Sequence, residues 1–158
     1  DMTKSNHIDN KGNIQMVDVG RKASTSRNAI ASGCIYLNKD ALKSINDGLN
    51  KKGNVLVVAQ IAGIQAAKNT SSLIPLTHTL NVSSVNINFE VKLDKIQCTA
   101  KVSCNGKTGV EIEALCAVQI ALLTIYDMCK YIDKNMMLSD IYLASKEGGK
   151  SGEFKSER

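Results

Sequence analysis

An aspartate and a lysine three residues apart, Asp127 and Lys130, interrupt the apolar run 117–132. Residues at this spacing share one face of a helix, so the carboxylate and the ammonium group would lie side by side. Most such pairs are surface ion pairs that stabilise little. Apolar neighbours such as Ile125 and Met128 predict a partly desolvated carboxylate, whose pKa burial raises and the ammonium lowers. The pair therefore fits proton transfer during phosphoryl or ring chemistry.

Two more carboxylates, Glu111 and Glu113, begin the same segment. Thr108 and Glu111 match the S/T-x-x-E capping box, which predicts a structural role for Glu111. Glu113 has no such role, and it precedes Asp127 by 14 residues. That spacing is close to four helical turns but spans about 21 Å along the axis. One small ligand could hardly touch both within one chain, so we predict a site at a subunit interface.

The only proline, Pro75, stands close to one of the two histidines, His78. Proline fixes φ and restricts the residue before it, which predicts a defined turn around the histidine. A histidine at a surface turn is one interpretation. A phosphate ligand or a proton carrier is the other.

Cationic side chains cluster in predicted loops and at element ends. Lysines and arginines in glycine-flanked loops can surround a polyphosphate. They are Arg21, Lys22, Arg27, Lys51, Lys52, Lys68, Lys107 and Lys150. The segment GGKSG (148–152) lacks the spacing of a phosphate-binding P-loop and does not lie between a strand and a helix.

The composition limits the partners. A net charge of +5, with no polybasic run, favours a small anionic ligand and predicts neither nucleic acid nor membrane as a partner. Aromatic residues make up 4% of the chain, which argues against base stacking. The five cysteines have no zinc spacing, so we predict no metal site and a reducing compartment. No run of 18 apolar residues occurs.

The periodicity of apolar residues predicts an α+β protein. Alternation over 82–93 and 96–104, around a turn at 94–95, predicts a hairpin. Helical spacing covers 55–68 and 110–132, and further strands are predicted at 29–37 and 137–143. A short extra helix is predicted at 40–46 with Asp40 as its N-cap, and Asn135 is a predicted C-terminal cap. The order is that of the ferredoxin-like split βαβ fold, an antiparallel sheet with two long helices on one face.

We expect one catalytic domain over 16–154, a flexible N-terminal segment over 1–15 and a tail over 155–158. The chain starts at Asp1 rather than methionine, so a targeting segment that precedes it would be invisible. The expected location is the cytoplasm or an organellar matrix.

Four segments in order, 16–27, 51–80, 106–130 and 148–154, closely resemble the cyclic pyranopterin monophosphate synthases, the molybdenum cofactor biosynthesis protein C family. The similarity runs from about His7 to Phe154. It implies a phosphorus–oxygen lyase that rearranges (8S)-3',8-cyclo-7,8-dihydroguanosine 5'-triphosphate to cyclic pyranopterin monophosphate with release of diphosphate. It also implies a homohexamer, a trimer of dimers, with active sites between subunits and no cofactor on the protein. Mg²⁺ is compatible with the triphosphate substrate.

The resemblance also implies roles for particular residues. Asp127 corresponds to the catalytic acid/base and Lys130 to its partner. The substrate-binding residues it implies are Leu76, Thr77, His78, Ile112, Glu113, Lys22, Arg27, Lys52, Lys68 and Lys150. Two departures occur: the family's L-C-H-P turn reads Leu-Thr-His-Thr here, and Ile112 replaces the methionine of V-E-M-E.

Two alternatives stay open. A pseudoenzyme would bind the ligand without turnover, as the altered turn at 76–79 allows. An RNA-binding module on the same fold would need stacking aromatics, and the segment 96–104 has none.

Overall fold

The protein is described by a computed structural model over residues 6–158. Its strands are β1 (Thr25–Tyr36), β2 (Val82–Val91), β3 (Lys95–Gly106), β4 (Met137–Glu147) and β5 (Phe154–Lys155). Its helices are α1 (Lys39–Asn46), α2 (Val55–Lys68), α3 (Thr70–Leu73) and α4 (Glu111–Cys129).

The sheet has the order β2-β3-β1-β4-β5, and every neighbouring pair is antiparallel. Strand β3 therefore lies between β1 and β2, which run in the same direction, and this arrangement is the predicted split βαβ unit. The predicted α+β, ferredoxin-like fold is confirmed. The short strand β5 was not predicted. It pairs Lys155 with Ser145 and Phe154 with Lys146 at the edge of the sheet.

Alternation along the strands separates a helix-covered face of the sheet from an open face. Every second residue of β3 is buried against the helices, namely Ile96, Cys98, Ala100, Val102 and Cys104. Their neighbours on the open face are polar, and Gln97 donates a hydrogen bond to Ser32 Oγ there (3.1 Å). The predicted alternation ends before Leu93, which is 94% exposed in the turn after β2 rather than part of the apolar face.

Helices α2 and α4 pack closely against each other because α2 carries a glycine at their contact. A Cβ at Gly63 would lie 2.4 Å from Ile87 Cδ1 and 2.9 Å from the Ala117 carbonyl oxygen. Glycine at this position therefore permits the approach of α2 to α4 and to β2, as its place in an alanine-rich helix predicts.

Three predicted helix ends are wrong. Asn38, not Asp40, caps α1, since its side chain accepts from the Ala41 amide (2.8 Å) and Asp40 lies in the first turn. Helix α4 has no side-chain cap, because it begins at Glu111 with Val110 at the N-cap position, and the Glu111 carboxylate pairs with Lys146 Nζ (3.0 Å). Helix α4 ends at Cys129, so Asn135 does not cap it. The backbone amide of Asn135 donates to Asp133 Oδ1 (2.8 Å).

All five cysteines are buried and free. Burial raises the pKa of the Cys98 thiol to about 12 and that of Cys129 to about 11. Of the described residues, only helix α4 is long and apolar enough to cross a membrane by length and composition. It is mostly buried between the sheet and α2, which is the position of a core helix.

Residues 7–15 fold back on themselves in a narrow turn. Ile8 pairs with Ile14, and the Asp9 carboxylate accepts from the amides of Lys11 and Asn13 (both 2.8 Å). The predicted flexible segment 1–15 includes this turn, while residues 1–5 of it lie outside the described residues.

A candidate active site in two halves

The first half of the candidate site, the lysine end, lies at the C-terminal end of α4. Lys130 Nζ is 3.1 Å and Lys52 Nζ 3.9 Å from Asp127 Oδ1. Lys52 Nζ also donates to the Asp127 backbone carbonyl (2.9 Å). The loop that carries Lys52 is held in place because the Asn50 side chain donates to the Met128 carbonyl (2.9 Å). The structure thus brings three predicted site residues together.

The Asp127 carboxylate is an exposed anion between two cations. Its side chain is 60% exposed, because Ile125 and Met128 point into the core on the opposite face of α4. The hydrogen bond from Lys130, and then the charge of Lys52, lower the pKa of Asp127 below that of an ordinary aspartate. The predicted desolvation of this carboxylate is wrong for the single chain. The two lysines thus favour the ionised form of Asp127.

The second half, the histidine end, surrounds the N-terminus of α4. A cavity of about 160 Å³ is lined by Thr77, His78, Thr108, Gly109, Glu111, Ile112 and Glu113. Two predicted segments, 76–78 and 112–113, therefore meet here. The turn before His78 is closed by Thr77, whose amide (3.2 Å) and hydroxyl (2.8 Å) both donate to the Ile74 carbonyl. The Thr77 hydroxyl thus adds a second hydrogen bond to the turn.

His78 is joined to the segment before β1. Its Nε2 donates a hydrogen bond to the Val17 carbonyl, 61 residues away in the sequence. Lys107 Nζ holds the same segment by donating to the Gly20 carbonyl (3.1 Å). A second cavity of about 360 Å³ lies between this segment, His78 and the end of β3. The His78 ring therefore forms part of the wall of both cavities.

Glu113 is a buried acid at the histidine end. It is 4% exposed, and burial raises its pKa. Beside it, Glu111 Oε1 forms an ion pair with Lys146 Nζ of β4. Lys146 was not predicted as a site residue. Its position in a half-buried strand next to the GGKSG segment was the available signal.

Arg27 is placed differently from the prediction. It lies near the start of β1 and is buried rather than solvated, with 7% of its surface exposed. Its Nε donates to the Gly106 carbonyl (2.9 Å). A Cβ at Gly149 would lie 2.1 Å from Arg27 Nη1, so the guanidinium packs on the backbone of the GGKSG loop. Arg27 thus fastens this loop to the start of the sheet.

Three other predicted cations, Lys22, Lys68 and Lys150, are exposed, and no ion pair within the described residues includes them. Lys68 ends α2, which runs antiparallel to α4, so it lies toward the histidine end. Leu76 is half-buried in the turn before His78.

A larger cavity of about 500 Å³ lies on the open face of the sheet, between Ser32, Lys95, Gln97 and Asp140. None of the predicted site residues lines it. We place the candidate site at the two ends of α4 because these ends combine carboxylates, cations and a histidine, whereas the larger cavity is a groove across the sheet.

The two halves are separate within one chain. Asp127 and Glu113 lie at opposite ends of α4, about 21 Å apart along its axis. The lysine end has a proton acceptor and two cations. The histidine end has a cavity, a buried acid and a histidine. Within residues 6–158 no group of three or more histidines, cysteines and carboxylates could hold a metal ion.

Comparison with known proteins identifies the family of the chain. The model of the MoaC family matches residues 16–149. The chain is 55% identical over 156 residues to the cyclic pyranopterin monophosphate synthase of Clostridium botulinum, with 98% of each chain covered. It is 52% identical to that of Novosphingobium aromaticivorans (98% and 99% covered) and 49% identical to that of Peptoclostridium acidaminophilum (96% of each). The two half-sites thus belong to a member of the MoaC family.

Proposed function

We propose that the protein is a cyclic pyranopterin monophosphate synthase of molybdenum cofactor biosynthesis. In this proposal each active site combines the lysine end of one subunit with the histidine end of another. The family match and the full-length relatives at about 50% identity support the proposed activity. The substrate is the cyclised dihydroguanosine triphosphate. The reaction opens and recloses its rings, forms a cyclic phosphate and releases diphosphate.

The separation of the two halves supports a shared site. A single copy presents the proton acceptor and the substrate cavity about 21 Å apart. A second copy in antiparallel orientation would bring the lysine end of one α4 beside the histidine end of the other. A two-fold axis near the middle of α4 generates this contact twice, which is the usual geometry of a dimer.

The outer surface of the helix layer fits such a contact. Residues 112, 119, 123 and 127 of α4 are exposed on one stripe. Ile112 (38% exposed) and Leu123 (51%) make this stripe apolar between the two ends. Beside it, α2 exposes Val57 (47%), Val58 (40%) and Ile61 (52%). Exposed apolar side chains on both helices of this layer support a protein interface there.

The chemistry follows from the charges of the two ends. Asp127 is ionised and accepts a proton from the substrate. Lys130 Nζ holds the Asp127 carboxylate, and its ammonium group can return a proton or stabilise negative charge beside it. Lys52 and the further cations Lys22, Lys68 and Lys150 neutralise the leaving diphosphate. Glu113, whose pKa is raised, holds a proton more readily than an exposed glutamate and suits hydrogen bonding to the ring.

The remaining parts of the proposal concern assembly and surroundings. We propose a homohexamer, a trimer of such dimers. No cofactor is bound by the protein in this proposal, and Mg²⁺ enters only as a counterion of the triphosphate. Five buried free thiols support a reducing compartment, the cytoplasm or an organellar matrix.

Turnover of the cyclised nucleotide by Asp127→Asn tests the activity. We expect a loss of roughly 10²- to 10⁴-fold in kcat, because a general acid–base contributes that much. Asp47→Asn is the matched control, since Asp47 also pairs with a lysine in an exposed helical position (Lys43, 3.1 Å). Pterin fluorescence measures the product.

The main alternative is a pseudoenzyme, which the altered turn at 76–79 suggests. Calorimetric binding of the cyclised nucleotide, with no pterin formed by the unmodified protein, would establish it. Equal turnover by Asp127→Asn and the unmodified protein would instead show that the chemistry lies elsewhere.

A further inference from the structure

We infer that His78 uses its two ring nitrogens for different tasks: Nε2 fastens the segment 16–22 over the site, and Nδ1 accepts a hydrogen from a non-phosphate part of the substrate. This inference rests on the proposed function. It concerns which ring nitrogen of His78 contacts the substrate and which part of the substrate that nitrogen contacts.

The first step concerns the proton on Nε2. The partner of this nitrogen is the backbone carbonyl of Val17, and a carbonyl oxygen can only accept. Nε2 therefore carries hydrogen. A neutral His78 then has its lone pair on Nδ1.

The second step concerns the surroundings of Nδ1. Within residues 6–158 no protein group forms a hydrogen bond with this atom. The ring is half-buried and lines the cavity that Ile112 and Glu113 also line. A half-buried polar atom beside a cavity needs a partner from water or from a ligand.

The third step concerns the chemistry of that ligand. A lone pair repels phosphate oxygens and attracts N–H or O–H groups. In the neutral ring, Nδ1 therefore meets a ring N–H or a sugar hydroxyl of the substrate, and it can take that proton. The cations that suit a triphosphate are other side chains, namely Lys52 at the lysine end, Lys68 toward the histidine end and Lys22 of the segment that His78 holds. His78 is thus directed to the part of the substrate that rearranges.

The fourth step concerns the segment 16–22. Its connections to the rest of the chain include the Val17–His78 bond and the Lys107–Gly20 bond. Met16 and Val19 of this segment line the cavity of about 360 Å³ beside His78. The Val17 carbonyl is therefore a positioning group. Its hydrogen bond fixes the tautomer of His78 and also holds the segment that forms one wall of the site.

Two substitutions separate the two nitrogens. The amide of glutamine reaches the place of Nε2, and the amide of asparagine reaches the place of Nδ1. We expect His78→Gln to leave the hydrogen exchange of residues 16–22 as it is in the unmodified protein but to lose roughly 10²-fold or more in kcat. We expect His78→Asn to speed that exchange while it binds the cyclised nucleotide more tightly than His78→Gln does. Turnover by His78→Gln close to that of the unmodified protein would overturn the inference.

Nitrogen NMR reads the tautomer without turnover. His7→Gln removes the only other histidine, so the solid-state spectrum of ¹⁵N-histidine protein reports His78 alone. We expect a protonated Nε2 and an unprotonated Nδ1. In an Asp127→Asn background, which slows turnover, the cyclised nucleotide should shift Nδ1 and inorganic triphosphate should not.

The outcomes are distinct. A proton on Nδ1 in the free protein, or a Nδ1 shift caused by inorganic triphosphate alone, contradicts the assignment. Failure of the unmodified protein to form pterin contradicts the proposed function. The tautomer and hydrogen-exchange measurements still test the assignment of the two His78 nitrogens in that case.

Discussion

At the scale of single residues, the two ends of α4 tune carboxylates in opposite directions. Asp127 is exposed between two lysines, which lower its pKa, whereas Glu113 is buried, which raises its pKa. An acid that gives up its proton easily and another that keeps it are what an acid–base site needs. In the proposed dimer the two meet across the interface.

The first prediction concerns Asp127. Lys130→Met should raise its pKa more than Lys52→Met does, because Lys130 Nζ is closer to the carboxylate (3.1 Å against 3.9 Å) and donates a hydrogen bond to it. Titration of ¹³C-carboxyl aspartate by NMR measures both values. Lys43→Met, at the exposed Asp47 pair, is the control. A larger effect of Lys52→Met would contradict the geometry.

The second prediction concerns the cost of burying Glu113. Its pKa is raised in the folded state, so the folded protein binds the proton more tightly than the unfolded chain does. The contribution of Glu113 to the free energy of unfolding is therefore fully present at acid pH. It falls as the pH rises above about 4.5, the ordinary pKa of a glutamate. Glu113→Gln should raise the melting temperature at pH 8 and flatten the pH dependence, while activity falls.

Thermal unfolding between pH 4 and pH 8 checks this prediction, with the exposed Glu90→Gln as a control for the loss of one carboxyl. A lower melting temperature of Glu113→Gln at pH 8 would mean that the charge is compensated in the assembly.

At the scale of elements, the sequence predicts the long helices and the strands well, because their periodicity reflects one dominant core. Helix α2 has the predicted bounds, and the alternation over 82–91 matches β2. The ends were less predictable. A capping box at Thr108 and Glu111 is a local pattern, and the ion pair of Glu111 with Lys146, 35 positions further along the chain, replaces it.

The same limit applies to the site. The sequence predicts site residues near both ends of α4, and the structure brings Lys52 to Asp127 and the turn at 76–78 to residues 112–113. It does not predict that Arg27 is buried in a strand or that Val17 contacts His78. Both depend on backbone carbonyls, which have no sequence signature.

The third prediction concerns the contact between α2 and α4. Gly63→Ala should destabilise the protein by about 1–3 kcal/mol, because overpacking at Ile87 and the Ala117 carbonyl outweighs the helix propensity of alanine, about 1 kcal/mol. Gln65→Ala, exposed in the same helix, should leave the stability unchanged or slightly raised. Urea denaturation measures both. A gain for Gly63→Ala would show that the helices can move apart without cost.

At the scale of the whole molecule, the helix layer is apolar on both sides. Helices α2 and α4 bury one face against the sheet and expose Val57, Ile61 and Leu123 on the other. A helix that is apolar all round is normally buried, so this layer indicates a second, intermolecular contact.

The fourth prediction follows from the shared site. Asp127→Ala and Glu113→Ala are each expected to be inactive. Mixed subunits, unfolded and refolded together, should recover up to about a quarter of the native activity, because random pairing gives half of the dimers one intact site out of two. Each variant refolded alone is the control. No recovery in demonstrably mixed oligomers would mean that both residues serve a site within one chain.

The rate at which the buried thiols are alkylated measures how often the folded chain opens. Cys98 and Cys129 are fully buried in the folded state, and burial raises the pKa of both thiols far above the ordinary value. Alkylation must therefore wait for a local or global excursion that bares each sulfur, and its rate reports the free energy of that excursion. Mass spectrometry can follow Cys98 under the sheet and Cys129 at the lysine end separately, and so reveal which part of the assembly loosens first.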